Sequence, residues 1–89
     1  MTQIDLLEQI ETIGLDTYSL VVFNDDVNTF DYVIRTLQKV CGHSPEQAEQ
    51  CTLLIHYKGK CAVKSGSWDE MAAMRQEICR AGISAEVLE

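Results

Sequence analysis

The chain has 89 residues, with 14 acidic against 7 basic side chains, a net charge of −7 and a pI near 4.6. A single domain of this length buries only about 60 to 70% of its unfolded surface, which argues against a deep enclosed active site and for a shallow one. Its charge repels phosphate backbones and anionic lipid, so neither nucleic acid nor membrane is an expected partner.

Residues 1–17 read as an N-terminal extension. The start, Met1-Thr2-Gln3-Ile4-Asp5, lacks the basic and apolar regions of a signal peptide, and no apolar run approaches the ~20 residues of a membrane span. A cytoplasmic protein is therefore expected. Ile4, Leu7 and Ile10 allow an amphipathic helix over 2–13 with Gly14 as its stop. Such a helix is marginal alone, and the segment is read as a mobile arm ahead of a domain spanning 18–89.

The domain opens on Tyr18–Phe23, whose β-branched and aromatic content predicts a strand and whose continuous apolar centre predicts burial on both faces. Asn24-Asp25-Asp26 follows: three short polar side chains, two of them anionic, between a strand and a helix. Clustered acceptors beside apolar surface suit a cation, a metal or an ammonium, and they equally suit a turn that caps a helix. Asn28 is the expected N-cap, with Asp31 in the first turn. Phe30, Val33, Ile34, Leu37, Val40 and Cys41 then repeat at helical spacing until Gly42.

Ser44-Pro45-Glu46-Gln47 has the form of a capping box with proline at the first helical position, opening a second helix with Ala48, Cys51, Thr52 and Ile55 on one face and Gly59 at its end. Alternation over 60–64 places Cys61 and Val63 on one face of a second strand, and Gly66 is read as a turn. Ser67-Trp68-Asp69-Glu70 is a further capping box, opening a helix with Met71, Met74 and Ile78 that stops at Gly82. Residues 83–88 close as a strand. The order βααβαβ predicts an α+β fold, a small sandwich in which one face of a three-stranded antiparallel sheet is covered by three helices.

Cys41, Cys51, Cys61 and Cys79 form no C-x-x-C pair, and each falls in predicted regular structure, so buried free thiols are expected. The spacing of Cys41, His43, Cys51, His56 and Cys61 fits no zinc pattern, and no third group orients a Cys/His nucleophile pair. No metal, cofactor or catalytic residue is expected. His56, at the end of an apolar helix, reads alone as a helix-end histidine whose neutral ring is able to accept a hydrogen bond.

Taken together, Leu20-Val21-Val22-Phe23-Asn24-Asp25-Asp26, a helix containing Val33-Ile34-x-x-Leu37, and Ile55-His56-Tyr57-Lys58-Gly59-Lys60 resemble the ClpS adaptor family from Tyr18 to the C-terminus. The resemblance implies an adaptor for N-degron proteins, those whose first residue is typically Leu, Phe, Tyr or Trp. It implies delivery to the N-terminal domain of a ClpA- or ClpC-type AAA+ unfoldase. By the same resemblance Asn24, Asp25, Asp26 and His56 hold the free α-amino group. Asn28, Phe30, Val33, Thr52, Ile55 and Ile83 or its neighbour Ser84 form the side-chain pocket, and Trp68, Asp69 and Glu70 belong to the unfoldase-docking surface. The family often has Thr at position 28, Met at 30 and 52, and a basic residue at 74; the residue at 30 gates against β-branched side chains. Two other classes fit less of the sequence. An Mg²⁺-dependent hydrolase using Asp25 and Asp26 lacks a phosphate loop and further carboxylates. A general interaction domain would grip apolar segments without an ammonium site.

Overall fold

The structure, a computed structural model, describes residues 17–89; the predicted arm helix over 2–13 and its Gly14 stop lie outside the described residues. Three strands and three helices follow in the order β1 (Tyr18–Phe23), α1 (Phe30–Cys41), α2 (Pro45–Lys58), β2 (Lys60–Gly66), α3 (Trp68–Arg80) and β3 (Ala85–Leu88). The sheet is antiparallel with order β2-β1-β3, and the predicted α+β architecture is the one observed.

Its centre is β1. Leu20 and Val22 are fully buried and Val21 nearly so, because neighbours flank the strand on both edges and the helices cover one face. From the helices, Val33, Leu37, Cys41, Ala48, Ile55, Met71 and Ile78 close over Leu20 and Val22, and Val63, Ile83 and Ala85 complete the cluster. Pairing with β2 slips by one residue between Leu20 and Val21, opposite Lys64 and Ala62, which leaves Val63 as the extra residue of a bulge.

The helix ends follow the sequence at most positions. Ser44 and Gln47 make the reciprocal capping box. Ser67 accepts from the Glu70 backbone N–H, but the return arm differs: the Ser67 hydroxyl donates to the Glu70 carboxylate at 3.0 Å. After α3, the Gly82 N–H bonds the Cys79 carbonyl and the Ile83 N–H reaches back to Ile78, a Schellman closure in which buried Ile78 and Ile83 are the apolar pair. Gly82 takes φ +88° there, a left-handed value that suits only glycine.

Four readings are corrected. The N-cap of α1 is Thr29, whose hydroxyl accepts from the Tyr32 N–H at 3.2 Å, and not Asn28, whose amide is committed elsewhere. Gly66 is the last residue of β2, paired with Tyr18, and its missing side chain answers a close approach, since a Cβ there would lie 3.2 Å from Met71 Cε. The third strand is shorter than 83–88, because Ile83 serves the helix closure before pairing begins at Ala85. Of the cysteines only Cys41 is buried; Cys51 and Cys61 are half-buried, and Cys79 is exposed near the end of α3 with its Sγ donating to the Ala85 carbonyl at 3.7 Å.

Two substitutions test this frame by chemical denaturation. Met71→Ala, which empties a fully enclosed site, is expected to cost about 2 to 5 kcal/mol. Thr29→Ala is expected to cost about 1 kcal/mol through loss of the cap.

Candidate functional site

A cleft of about 430 Å³ opens where β1 ends and α1 and α2 face each other. Its lining is Asn24, Asp25, Asp26, Asn28, Phe30, Val33, Thr52, Ile55 and His56. Phe30 and Val33 are three apart on α1, and Thr52, Ile55 and His56 stand at i, i+3, i+4 on α2, so each helix offers one face. Of the ten residues singled out for amine and side-chain binding, nine meet in this cleft. Ile83 does not: it is buried in the core as the apolar partner of Ile78, and the neighbouring Ser84 uses its carbonyl to accept from the Phe23 N–H at 3.0 Å.

The polar rim is built around Asp25. One carboxylate oxygen accepts from the Val27 and Asn28 backbone N–H groups at 2.9 and 2.8 Å, and the other accepts from the Asn28 amide at 2.7 Å. The second hydrogen of that amide goes to the Gly82 carbonyl at 2.8 Å. The loop is pinned at its other end by the Asn24 N–H, which donates to the Gly59 carbonyl at 2.9 Å beside the end of α2. The Asn28 backbone N–H above all, then its amide and the Val27 N–H, outweigh desolvation and hold the Asp25 carboxyl below the usual carboxylate range.

Asn24, Asp26 and His56 differ from Asp25 in having no side-chain hydrogen bond among the described residues. All three are exposed at the mouth of the cleft. His56 stands edge-on to Tyr57, ring centroids 5.1 Å apart. Below them the wall is apolar: Val33 and Ile55 are buried, Phe30 is half-covered at the entrance, and the Thr52 hydroxyl is already spent on the Ala48 carbonyl at 2.7 Å. Acceptors above an apolar slot suit a ligand with a cationic head and an apolar body.

Other chemistry finds less support in the geometry. Among the described residues no three His, Cys, Asp or Glu side chains converge as a ligand set. Burial, with Cys51 beside it, pushes the Cys61 thiol up to about 11, and burial likewise raises Cys41, which disfavours thiolates at neutral pH. The residues proposed for docking lie at the start of α3, away from the cleft: Trp68 is 53% exposed and packs edge-on against Tyr18 with centroids 5.5 Å apart, while Asp69 and Glu70 are exposed in the first turn.

Sequence reasoning missed Gly82 as a member of the site and Gly59 as the anchor of the loop. Asp25 with Asn28 three residues later is a local signal for the turn. Nothing local signals Gly82, which is 54 positions from Asn28.

The model of the ClpS family, ATP-dependent Clp protease adaptor protein, matches residues 15–86. Among curated relatives, the ATP-dependent Clp protease adapter protein ClpS of Thermosynechococcus vestitus is 29% identical over 83 residues, 92% of this chain and 88% of that protein. Its namesake from a Nostoc species is 34% identical over 73 residues, 81% and 75% of the two chains. That of Nocardia farcinica is 38% identical over 65 residues, and the chain spans 61% of that protein's length. Among solved structures, ClpS2 of Agrobacterium tumefaciens bound to L-phenylalaninamide superposes with a TM-score of 0.78 at 18% identity, covering 81% of this chain and 94% of that one, and so shares the fold.

The Asp25 loop sets a pH dependence. Its folded-state value is depressed, so its stabilisation is fully present above the ordinary Asp value of about 3.9 and is lost as pH falls through the lowered value. NMR titration of the Asp25 carboxyl carbon, with amide exchange at Val27 and Asn28, is expected to show the loop closed until the lowered midpoint is passed. An ordinary Asp midpoint would contradict the loop geometry.

Proposed function

The chain belongs to the ClpS family of ATP-dependent Clp protease adaptor proteins, and on that premise we propose that its cleft binds the free α-amino group and large apolar first residue of N-degron proteins. The bound proteins are then delivered to a Clp-type AAA+ unfoldase. The observation that carries this reading is the arrangement of the cleft itself: unspent acceptors on Asn24, Asp26 and His56 stand above an apolar wall of Phe30, Val33 and Ile55. The phenylalaninamide bound to the Agrobacterium ClpS2, an apolar side chain on a free amine, is a ligand of the same chemistry.

An α-amino group has a pKa near 8 and at neutral pH is mostly an ammonium with three donors. Three acceptors match it. Each charge-assisted bond contributes about 1.5 to 3 kcal/mol, and burial of one large side chain about as much again. Before the cost of association these contributions come to about 6 to 12 kcal/mol, and micromolar binding, which needs about 8 kcal/mol, is reached only at their upper end. Internal segments of a chain carry no ammonium, so the site selects chain ends. Asp25 contributes charge and holds the loop, while Asn24, Asp26 and His56 face the ligand.

The ring of Phe30 at the entrance leaves a slot that takes Leu, Phe, Tyr or Trp and disfavours side chains branched at Cβ. Thr52 widens the opposite wall relative to a longer residue. The chain acts by binding, with the exposed start of α3, Trp68-Asp69-Glu70, as the surface offered to the N-terminal domain of a ClpA- or ClpC-type unfoldase.

Calorimetric titration with a Phe-starting peptide and its N-acetylated twin tests the reading. The free amine is expected to bind in the micromolar range, and acetylation to weaken it by more than about tenfold. Ile- and Val-starting peptides are expected to bind more weakly than Leu- or Phe-starting ones, and His56→Ala to lower affinity without unfolding the domain. Equal affinity for the acetylated twin would favour a general apolar groove instead.

A further inference from the structure

We propose that Asn28 is a positioning residue for the ammonium site: its amide, shared between the Asp25 carboxylate and the Gly82 carbonyl, sets where the acceptor loop sits over the cleft. The proposal rests on the reading of the cleft as an α-amine site.

The amide nitrogen of Asn28 has two hydrogens and both are used, at 2.7 Å to Asp25 and 2.8 Å to Gly82. Through Asp25 the first bond joins a closed ring of three contacts that fixes the loop internally. The second fixes that ring to the rest of the fold. Among the described residues it is the loop's one side-chain bond to another element, opposite the backbone bond from Asn24 to Gly59. The loop is thus held at two points, one at the end of α2 beside His56 and the other just past α3.

The second anchor is a built feature of the turn. The terminal carbonyls of α3 are taken by the N–H groups of Ala81, Gly82 and Ile83, which leaves the carbonyls of the turn itself to find partners from outside. Ala81 and Gly82 receive theirs from one stretch of chain: the Tyr32 hydroxyl donates to the Ala81 carbonyl at 2.6 Å, and Asn28 to the next one. Gly82, at φ +88°, presents its carbonyl in a geometry other residues rarely take.

Asn24 and Asp26 have no side-chain partners among the described residues, so their distance from His56 is inherited from the loop. A binding constellation needs placement within about 0.5 Å, which makes the latch part of recognition. A threonine in place of Asn28 has one hydroxyl proton and is unable to serve both acceptors.

The test uses Asn28→Ala and the exchange Asp25→Asn with Asn28→Asp in the full chain. The exchange keeps the loop charge and the carboxylate–amide pair but withdraws the donor from Gly82. It also keeps the test valid if Asn28→Ala fails to fold. Affinities are measured for Leu- and Phe-starting peptides and for the acetylated Phe twin, alongside thermal melting. The exchange variant is expected to bind both free-amine peptides about tenfold more weakly, by the same factor for each, with the acetylated twin unchanged. Wild-type affinity in the exchange variant would overturn the latch, as would losses that differ between Leu and Phe, which would report a distorted pocket. Equal binding of free and acetylated peptides by the unaltered protein would instead overturn the amine site itself.

Discussion

The position at which β1 stops being a strand governs the rest of this domain. Leu20 and Val22 are buried between two strand neighbours and beneath three helices, so the register of β1 has no freedom to slide. Phe23 still pairs outward, its N–H on the Ser84 carbonyl, and one residue later the Asn24 N–H has left the sheet for Gly59 at the end of α2. Asn24-Asp25-Asp26 therefore begins at a defined point and height above the helices, and the shallow cleft inherits that precision from the core. A domain of this size has little apolar surface to spare for enclosing a site, and placing it at the exit of the most buried strand gives rigidity without enclosure.

The net charge of −7 acquires a local meaning in that cleft. Negative charge spread over a surface favours cationic partners weakly and is screened within about 8 to 10 Å at ordinary ionic strength. Recognition needs acceptors at short range. Asp25 and Asp26, adjacent in sequence, are differently employed: one carboxylate organises the backbone and the other is left exposed. The division follows from geometry, since only Asp25 stands two and three residues before the N–H groups it collects.

Where sequence and structure agree, the determinants are local. The Ser44 capping box, the stops at Gly42 and Gly59 and the helical stripe of α1 are each decided within four residues, and they stand where periodicity and capping chemistry put them. Three of the differences come from contacts outside that window, at separations from five residues to 54. Asn28 is a sound N-cap by local preference, but its amide is better satisfied by two acceptors, one of them 54 residues away, and Thr29 is left to cap the helix. Gly66 resembles a turn residue until the approach of Met71 explains it. Family likeness implies Ile83 in the pocket, and the closure of α3 draws it into the core. The cleft lining was legible because helical spacing decides which side chains share a face. The support beneath it was not, because the supporting atoms are backbone carbonyls, which carry no residue signature.

Those carbonyls bear on the proposal that a cation is held here. The C-terminal end of a helix carries the equivalent of about half a negative charge. The acceptor loop is anchored to two such ends, Gly59 after α2 and Gly82 after α3. The start of α1 brings an opposing positive end to the same place, which Asp25, Asp26 and Asp31 answer with full charges. Carboxylates and helix ends thus contribute negative potential at the cleft mouth, against the cations of Lys58 and Lys60 that flank Gly59. The backbone share depends on the loop staying at those two helix ends, since the dipole effect fades within a single turn. On the proposed reading, the bonds from Asn24 to Gly59 and from Asn28 to Gly82 bear on both the shape of the site and the potential within it.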